Sequence, residues 1–345
     1  MGKKFDVVIG NPPYQDEAKG EGTRDTPIYH RFMDAAYEVG QKAVLITPAR
    51  FLFNAGLTPK AWNEKMLSDR HLSVPVYVPS SAKLFPGTDI KGGIAVTYRD
   101  EDREGEPIET FTKYPELNHV LRKVTLSGAA PLTDAGITSS RSYRYSDQLY
   151  QDHPDARALR PDGNTALVNT NTFEQFSFLY YAERPSDGHE YTQVLGLIRN
   201  KRVLRWIRSS YTTGPASFGT YRVALTAANG AGNLGEVLSS PLVLAPDIAV
   251  TQSFITIGAF DSETEAEACL KYVKSKFART MLGVLKITQH NPAKTWKHVP
   301  LQDFTSNSDI DWSKSIAEID QQLYAKYALD ADEIEFIETH VKPMD

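Results

Sequence analysis

Phe5-Asp6-Val7-Val8-Ile9-Gly10-Asn11-Pro12-Pro13-Tyr14 joins a short apolar run to a glycine and two prolines. That is the pattern of a buried strand that stops abruptly. Pro13 restricts Pro12, and Pro12 restricts Asn11, to extended backbone, and neither proline carries an N–H. The carbonyls at the strand end are therefore held in place and need not join a helix. Outward from this stretch, residues 15–26 are polar and glycine-containing and read as a mobile loop. Ile28, Phe32, Ala35, Ala36 and Val39 then recur at helical spacing, and Gly40 stops that helix. Residues 43–47 read as the next buried strand, 59–69 as a helix, and 72–78 and 92–98 as further strands. Strand alternating with helix is the rhythm of a doubly wound α/β sheet.

Residues 99–107 are charged and read as a surface loop. From about residue 125 the pattern changes to short strand-like runs rich in Ser, Thr, Gly and Tyr, which predicts a second, α+β domain. Helix returns at 263–285, where Cys269, Val273, Phe277, Met281 and Val284 or Leu285 share one face, so Cys269 reads as a core residue. Residues 316–327 and 331–339 read as two closing helices. The expected organisation is three parts: 1–125, 126–302, and an acidic helical tail, 303–345.

The chain has 345 residues, enough for two domains. No apolar run approaches the roughly 20 residues of a membrane span, and the N-terminus carries no signal-like stretch. Asp6 stands where a myristoylation motif wants Ser or Thr. One cysteine excludes an internal disulfide and fits a reducing cytoplasm.

The net charge of −5 speaks against a nucleic-acid binder, but its distribution reverses that. Residues 303–345 hold eleven acids against Lys314, Lys326 and Lys342, which leaves +3 on residues 1–302. Residues 191–235 have six Lys or Arg and no acid, and residues 268–302 have seven and no acid. An anionic polymer needs local positive surface, not a positive total, so runs this long favour DNA contact.

An apolar strand running into Asn-Pro-Pro-Tyr resembles the catalytic motif of the amino-methyltransferases, which methylate exocyclic amines of DNA bases. The residue types suit that chemistry. The adenine amine is a poor nucleophile because its lone pair is delocalised into the ring. Two acceptors on its N–H groups, one a side-chain amide oxygen and one a backbone carbonyl, would favour a pyramidal nitrogen and free the lone pair. The resemblance implies that Asn11 and Pro12 hold the amine and that Tyr14 stacks on a base flipped out of the duplex. Residues 83–99 resemble the family's later hairpin motif, which gives Phe85 the opposite face of the base. Residues 43–52 resemble the family's next strand.

The likeness continues. Residues 291–304 and the tail from Ile310 resemble the C-terminal parts of N6-adenine-specific methylases of the type IIG restriction-modification family. It thus extends over most of the chain, but only the Asn-Pro-Pro-Tyr segment is highly specific. It implies a partial Rossmann-like methyltransferase sheet, the catalytic half, followed by an α+β DNA target-recognition domain. A helix-like basic stretch, Arg199, Lys201, Arg202, Arg205 and Arg208 around Trp206, suits phosphate contact there. Lys286, His290, Lys294 and Lys297 are further candidates. The implied partner is double-stranded DNA and the implied cofactor S-adenosylmethionine.

In the family the cofactor site precedes the catalytic strand, and only four residues precede Phe5. The first three strands of the sheet are therefore expected to be missing, residues 5–9 to form an exposed apolar edge open to another chain, and the cofactor site to be incomplete. Gly230-Ala231-Gly232-Asn233-Leu234-Gly235 matches G-x-G-x-x-G, but only five residues separate it from Pro241, too few for a parallel crossover, so it reads as a loop. The sequence leaves open an enzyme half that captures the base and is inactive without a cofactor lobe from elsewhere, or a non-catalytic DNA-recognition module or subunit of a split restriction-modification enzyme. No Pro-Asp…(Asp/Glu)-x-Lys cluster suggests a nuclease, and the eight histidines lack metal-ligand spacing.

Overall fold

The computed structural model describes residues 3–16, 26–160, 166–286 and 288–345. The chain divides into two compact units, 1–118 and 119–345. It is a mixed α/β protein with several sheets. Among the described residues no helix is long and apolar enough to cross a membrane.

The first unit is built on four strands: β1 (Phe5–Gly10), β2 (Gly40–Pro48), β3 (Leu72–Val78) and β4 (Ile94–Asp100). Their order is β1-β2-β4-β3. β1 runs parallel to β2, while β4 lies antiparallel to both its neighbours, so β1, β2 and β3 share one direction. Helix α1 (Tyr29–Val39) connects β1 to β2, and α2 (Lys60–Leu67) connects β2 to β3. Gly40 ends α1 as expected, but in extended backbone (φ −108°) rather than a left-handed cap. A Cβ there would come within 2.7 Å of the Val8 side chain, so close strand approach is what requires glycine. The core under the sheet joins Tyr29, Met33, Leu45, Phe51, Trp62 and Met66, with Val8 and Tyr14 against it.

β1 is the sheet edge. Val8 faces the core, and Phe5, Val7 and Ile9 on the other face are 57, 48 and 78 % exposed. β1 is thus not the buried strand its apolar run suggests: Val8 and Gly10 are half-buried and the rest of the strand is exposed, because no strand covers its outer edge among the described residues. Gln15–Asp16 pairs with Thr26–Pro27, and the rest of the expected mobile loop lies outside the described residues.

The division between the units falls inside α3 (Pro115–Leu126), a few residues before the expected boundary at 125. In the second unit the basic stretch expected to be helix-like is a β-hairpin, β5 (Tyr191–Ile198) and β6 (Lys201–Arg208). Its two turn residues, Arg199 and Asn200, both have positive φ (48° and 62°), as two-residue hairpin loops require. β6 pairs with β5 residue for residue, from Lys201 opposite Ile198 to Arg208 opposite Tyr191, and Val203, Ile207, Val194 and Leu195 pack in the core of the unit. β7 (Tyr221–Thr226), β8 (Leu242–Leu244), β9 (Ile248–Val250) and β10 (Phe254–Phe260) complete two sheets, β6-β5-β9 and β8-β7-β10, the latter extended by Ile137–Thr138.

The expected helix over 263–285 is two: α4 (Glu263–Lys274) and α5 (Lys276–Gly283). Ser275 turns to extended backbone (ψ 150°) and its side chain accepts the Ala278 N–H, so one serine both ends α4 and caps α5. Cys269 is fully buried, and burial pushes its thiol up, in keeping with a core residue. The tail forms α6 (Ile316–Lys326) and α7 (Ala331–His340), each opened by a capping box, Ser315 with Glu318 and Asp330 with Glu333.

Candidate functional site

β1 and β2 are parallel, so their carboxyl ends lie together, and ligands of open α/β sheets bind at such ends. Here Asn11, Pro12, Pro13 and Tyr14 leave β1 while Pro48 and Arg50 leave β2, and all line one cleft of about 660 Å³. Tyr29, Leu57 and residues 89–91 are among the other residues that line it. Asn11 is exposed, and its side chain makes no hydrogen bond to the described residues. Tyr14 is half-buried against the core with its backbone carbonyl accepting the Ile28 N–H at 3.1 Å. Burial raises its phenol above the ordinary value, and its hydroxyl has no partner among the described residues. The cleft thus presents an unengaged amide, a fixed Pro-Pro backbone and an aromatic ring.

Phe85 is half-buried and does not line the cleft. Its loop contributes Asp89, Ile90 and Lys91 instead, with Lys91 and Asp89 paired at 2.5 Å. Arg50, which motif reading passed over as a site residue, brings the cleft a positive charge. Gly92, at φ +87°, lets it in: a Cβ there would sit 2.8 Å from Arg50 Cγ. The signal for it was the position, two residues past the end of a strand parallel to the motif strand.

The basic candidates separate. Arg199 and Lys201 are exposed at and beside the hairpin turn, and Arg205 is half-exposed. Arg202 donates to the Ser239 carbonyl at 2.5 Å and lies over the Phe254 ring. Arg208 is held by Asp187 and Tyr211. Lys294 and Lys297 are exposed. Lys286 is not a surface residue: it is 6 % exposed, and its ammonium donates to the carbonyls of Asn229 and Thr288. His290 is exposed, but burial pushes the half-buried His298 imidazole down to about 4, which leaves it neutral at pH 7.

The Gly-rich loop at 230–235 is occupied from within. Ala231 and Gly232 N–H groups and the Asn233 amide all donate to the Glu236 carboxylate at 3.0 Å. A dinucleotide-type turn keeps its amides for a ligand, so this loop does not fit S-adenosylmethionine.

Asn-Pro-Pro-Tyr at the end of a parallel strand lies in the part of the chain that is similar to restriction-modification methylases. Residues 1–85 match the family model described as Eco57I restriction-modification methylase. A curated relative described as an uncharacterized adenine-specific methylase, from Mycoplasma pneumoniae, is 28 % identical over 108 residues, 30 % of this chain and 26 % of that protein. Among solved structures, the type IIG restriction endonuclease BpuSI is similar at TM-score 0.33 and 10 % identity, over 97 % of this chain and 53 % of that one. The type IIL restriction-modification enzyme MmeI in complex with DNA follows at TM-score 0.30 and 8 % identity, over 90 % and 50 %. The match therefore spans about a quarter of the curated methylase's length and about half of each of these two enzymes.

Proposed function

We propose that this chain serves site-specific DNA adenine-N6 methylation in a restriction-modification system, supplying base capture and DNA recognition. The observation that carries the reading is the meeting of Asn11, Pro12 and Tyr14 in one cleft at the carboxyl ends of two parallel strands. In this reading an adenine flips from the duplex, and its N6–H groups donate to the Asn11 side-chain oxygen and the Pro12 carbonyl. Tyr14 lies along the ring. The amine lone pair is then freed for the methyl group, and the displaced N–H proton leaves along one of these hydrogen bonds. A place for Phe85 on the second face of the base requires movement of its loop.

The parallel strands linked by helices support a partial Rossmann-like methyltransferase sheet. The mixed second unit, with Arg199, Lys201 and Arg205 on its hairpin and Lys294 and Lys297 elsewhere, supports a target-recognition role on double-stranded DNA. The reading implies S-adenosylmethionine as methyl donor. Because residues 230–235 do not fit it, we assign that site to a further segment or chain, and the apolar edge of β1 is the surface open to it. Methylation then requires that lobe, and this chain by itself is inactive.

The test is N6-methyladenine in DNA, measured by mass spectrometry after expression of the chain together with its flanking coding sequence. Asn11→Ala should lose about 3 kcal/mol of transition-state stabilisation, the scale of losing an essential hydrogen-bonding group. Near-normal methylation by that variant sinks the assignment.

A further inference from the structure

In the second unit, a pocket of about 380 Å³ is lined by Asp152, His153, Leu179, Tyr181, Arg208 and Tyr211. Its polar groups form one network. The Tyr211 hydroxyl donates to Asp152 Oδ2 at 2.8 Å and accepts from Arg208 Nη1 at 3.3 Å, with His153 Nε2 also 3.3 Å away. Arg208 Nη2 lies 3.5 Å from Asp187, which in turn accepts from the Tyr191 hydroxyl at 2.9 Å. The guanidinium is thus buttressed on two sides while its side chain remains 31 % exposed. Exposed Phe178 and Tyr181 stand beside it.

We propose that this pocket reads one G·C base pair of duplex DNA from the major groove, Arg208 donating to guanine O6 and N7 and Asp152 accepting from the cytosine N4 amine. This rests on the DNA-recognition reading above and gives Arg208 a different task from its hairpin neighbours. A phosphate contact is served by an exposed cation with no acid paired to it, as Arg199 and Lys201 are among the described residues. Arg208 is fixed, and the carboxylates of Asp152 and Asp187 around it repel phosphate. A neutral base edge suits the same surroundings. A planar fork held in one orientation matches the two acceptors of guanine, and an adjacent carboxylate matches the amine of its paired cytosine. One tyrosine hydroxyl bonded to both groups sets their spacing.

The experiment selects duplexes from a pool with a randomised interior on the full chain, and repeats the selection with Arg208→Lys, Arg208→Ala and Asp152→Ala. Wild type should enrich a fixed G·C pair. Both Arg208 variants should lose roughly tenfold or more of the discrimination at that one position and keep the others. Arg208→Lys, which keeps charge and stem, should melt as wild type does and show an unchanged salt slope. The proposal is overturned if Arg208→Lys keeps the preference. It is overturned equally if Arg208→Ala weakens all sequences alike with a salt slope lower by about one, which marks a phosphate contact. Binding without sequence preference in the wild type overturns it too, while leaving DNA binding intact. Absence of binding to any duplex sinks the DNA-recognition reading itself.

Discussion

Residues 191–235 and 268–302 are alike in sequence, each basic and without an acid, but they meet different fates. The first puts Arg199, Lys201 and Arg205 at the surface of a hairpin. The second spends most of its charge on contacts within its own unit, with two cations buried and three half-buried. Lys271 donates to the carbonyls of Trp312 and Lys314, Lys274 to that of Asp345, and Lys276 pairs with Glu338 at 2.5 Å. Arg279 and Lys286 are buried, which leaves Lys294 and Lys297 exposed. The acidic tail that the charge count set aside is what the second stretch binds. An acid-free run measures local charge along the chain, and its complement can come from any distance in sequence. The first stretch also buries Arg222 and pairs Arg208 with Asp187, so the difference is one of degree, and three experiments test it.

Arg279→Ala should do most damage. This guanidinium is 2 % exposed and donates to the carbonyls of Lys274, Ser275 and Lys342, with those of Gly235 and Glu236 at 3.5 Å. Removing it orphans several buried acceptors at once, at about 3–4 kcal/mol by urea unfolding. A loss below about 1 kcal/mol would mean that the second stretch does not seat the tail.

Asp320 sharpens the same contrast through pH. Its carboxylate accepts the N–H groups of Lys276 and Phe277, yet burial dominates and pushes it up to about 6. The folded chain therefore takes up this proton more readily than the unfolded one. Its contribution is full below pH about 4 and is lost as pH rises to about 6, on the order of 2–3 kcal/mol. Asp320→Asn should remove that slope whatever it costs in absolute stability, so the stability difference between variant and wild type should change between pH 4 and 7. A constant difference would refute the assignment.

The first unit was largely legible. The strand before Asn11, the helix stopped by Gly40 and the alternation that follows all obey local rules, and local rules suffice where each element is short and bounded by glycine or proline. The edge position of β1 was read from the motif's place in the chain. The second unit was less legible for identifiable reasons. Arg199 and Asn200 form a tight turn without the usual Asn-Gly signal, so β6 read as a helix. Ser275 sat inside an unbroken apolar periodicity, and only its cap geometry reveals two helices. Lys286 is buried against the Asn229 carbonyl, distant in sequence, and the neutral state of His298 follows from burial that no local pattern states. In the candidate site, the resemblance of the motif singles out Asn11, Pro12 and Tyr14, and the fold brings them into one cleft. Arg50 needed the pairing of β1 with β2, which no local pattern states.

The smallest effect on stability, and the clearest on binding, belongs to the hairpin. Arg199→Ala, Lys201→Ala and Arg205→Ala together should change stability by no more than about 0.5 kcal/mol, because Arg199 and Lys201 are exposed, Arg205 is half-exposed, and none makes an ion pair among the described residues. If all three meet phosphates, the slope of log affinity against log salt for duplex DNA should fall by about 2–3. Lys294→Ala with Lys297→Ala sets the comparison. Those two are the remaining exposed cations of the second stretch, so at most two counterions are released there. A larger salt effect from that pair than from the hairpin triple would reverse the roles assigned to the two stretches. Equal effects would spread the DNA surface over both. A fall confined to the hairpin triple would make β5 and β6 the element that follows the phosphate backbone, with Arg208 at the base of the same strand left to read sequence.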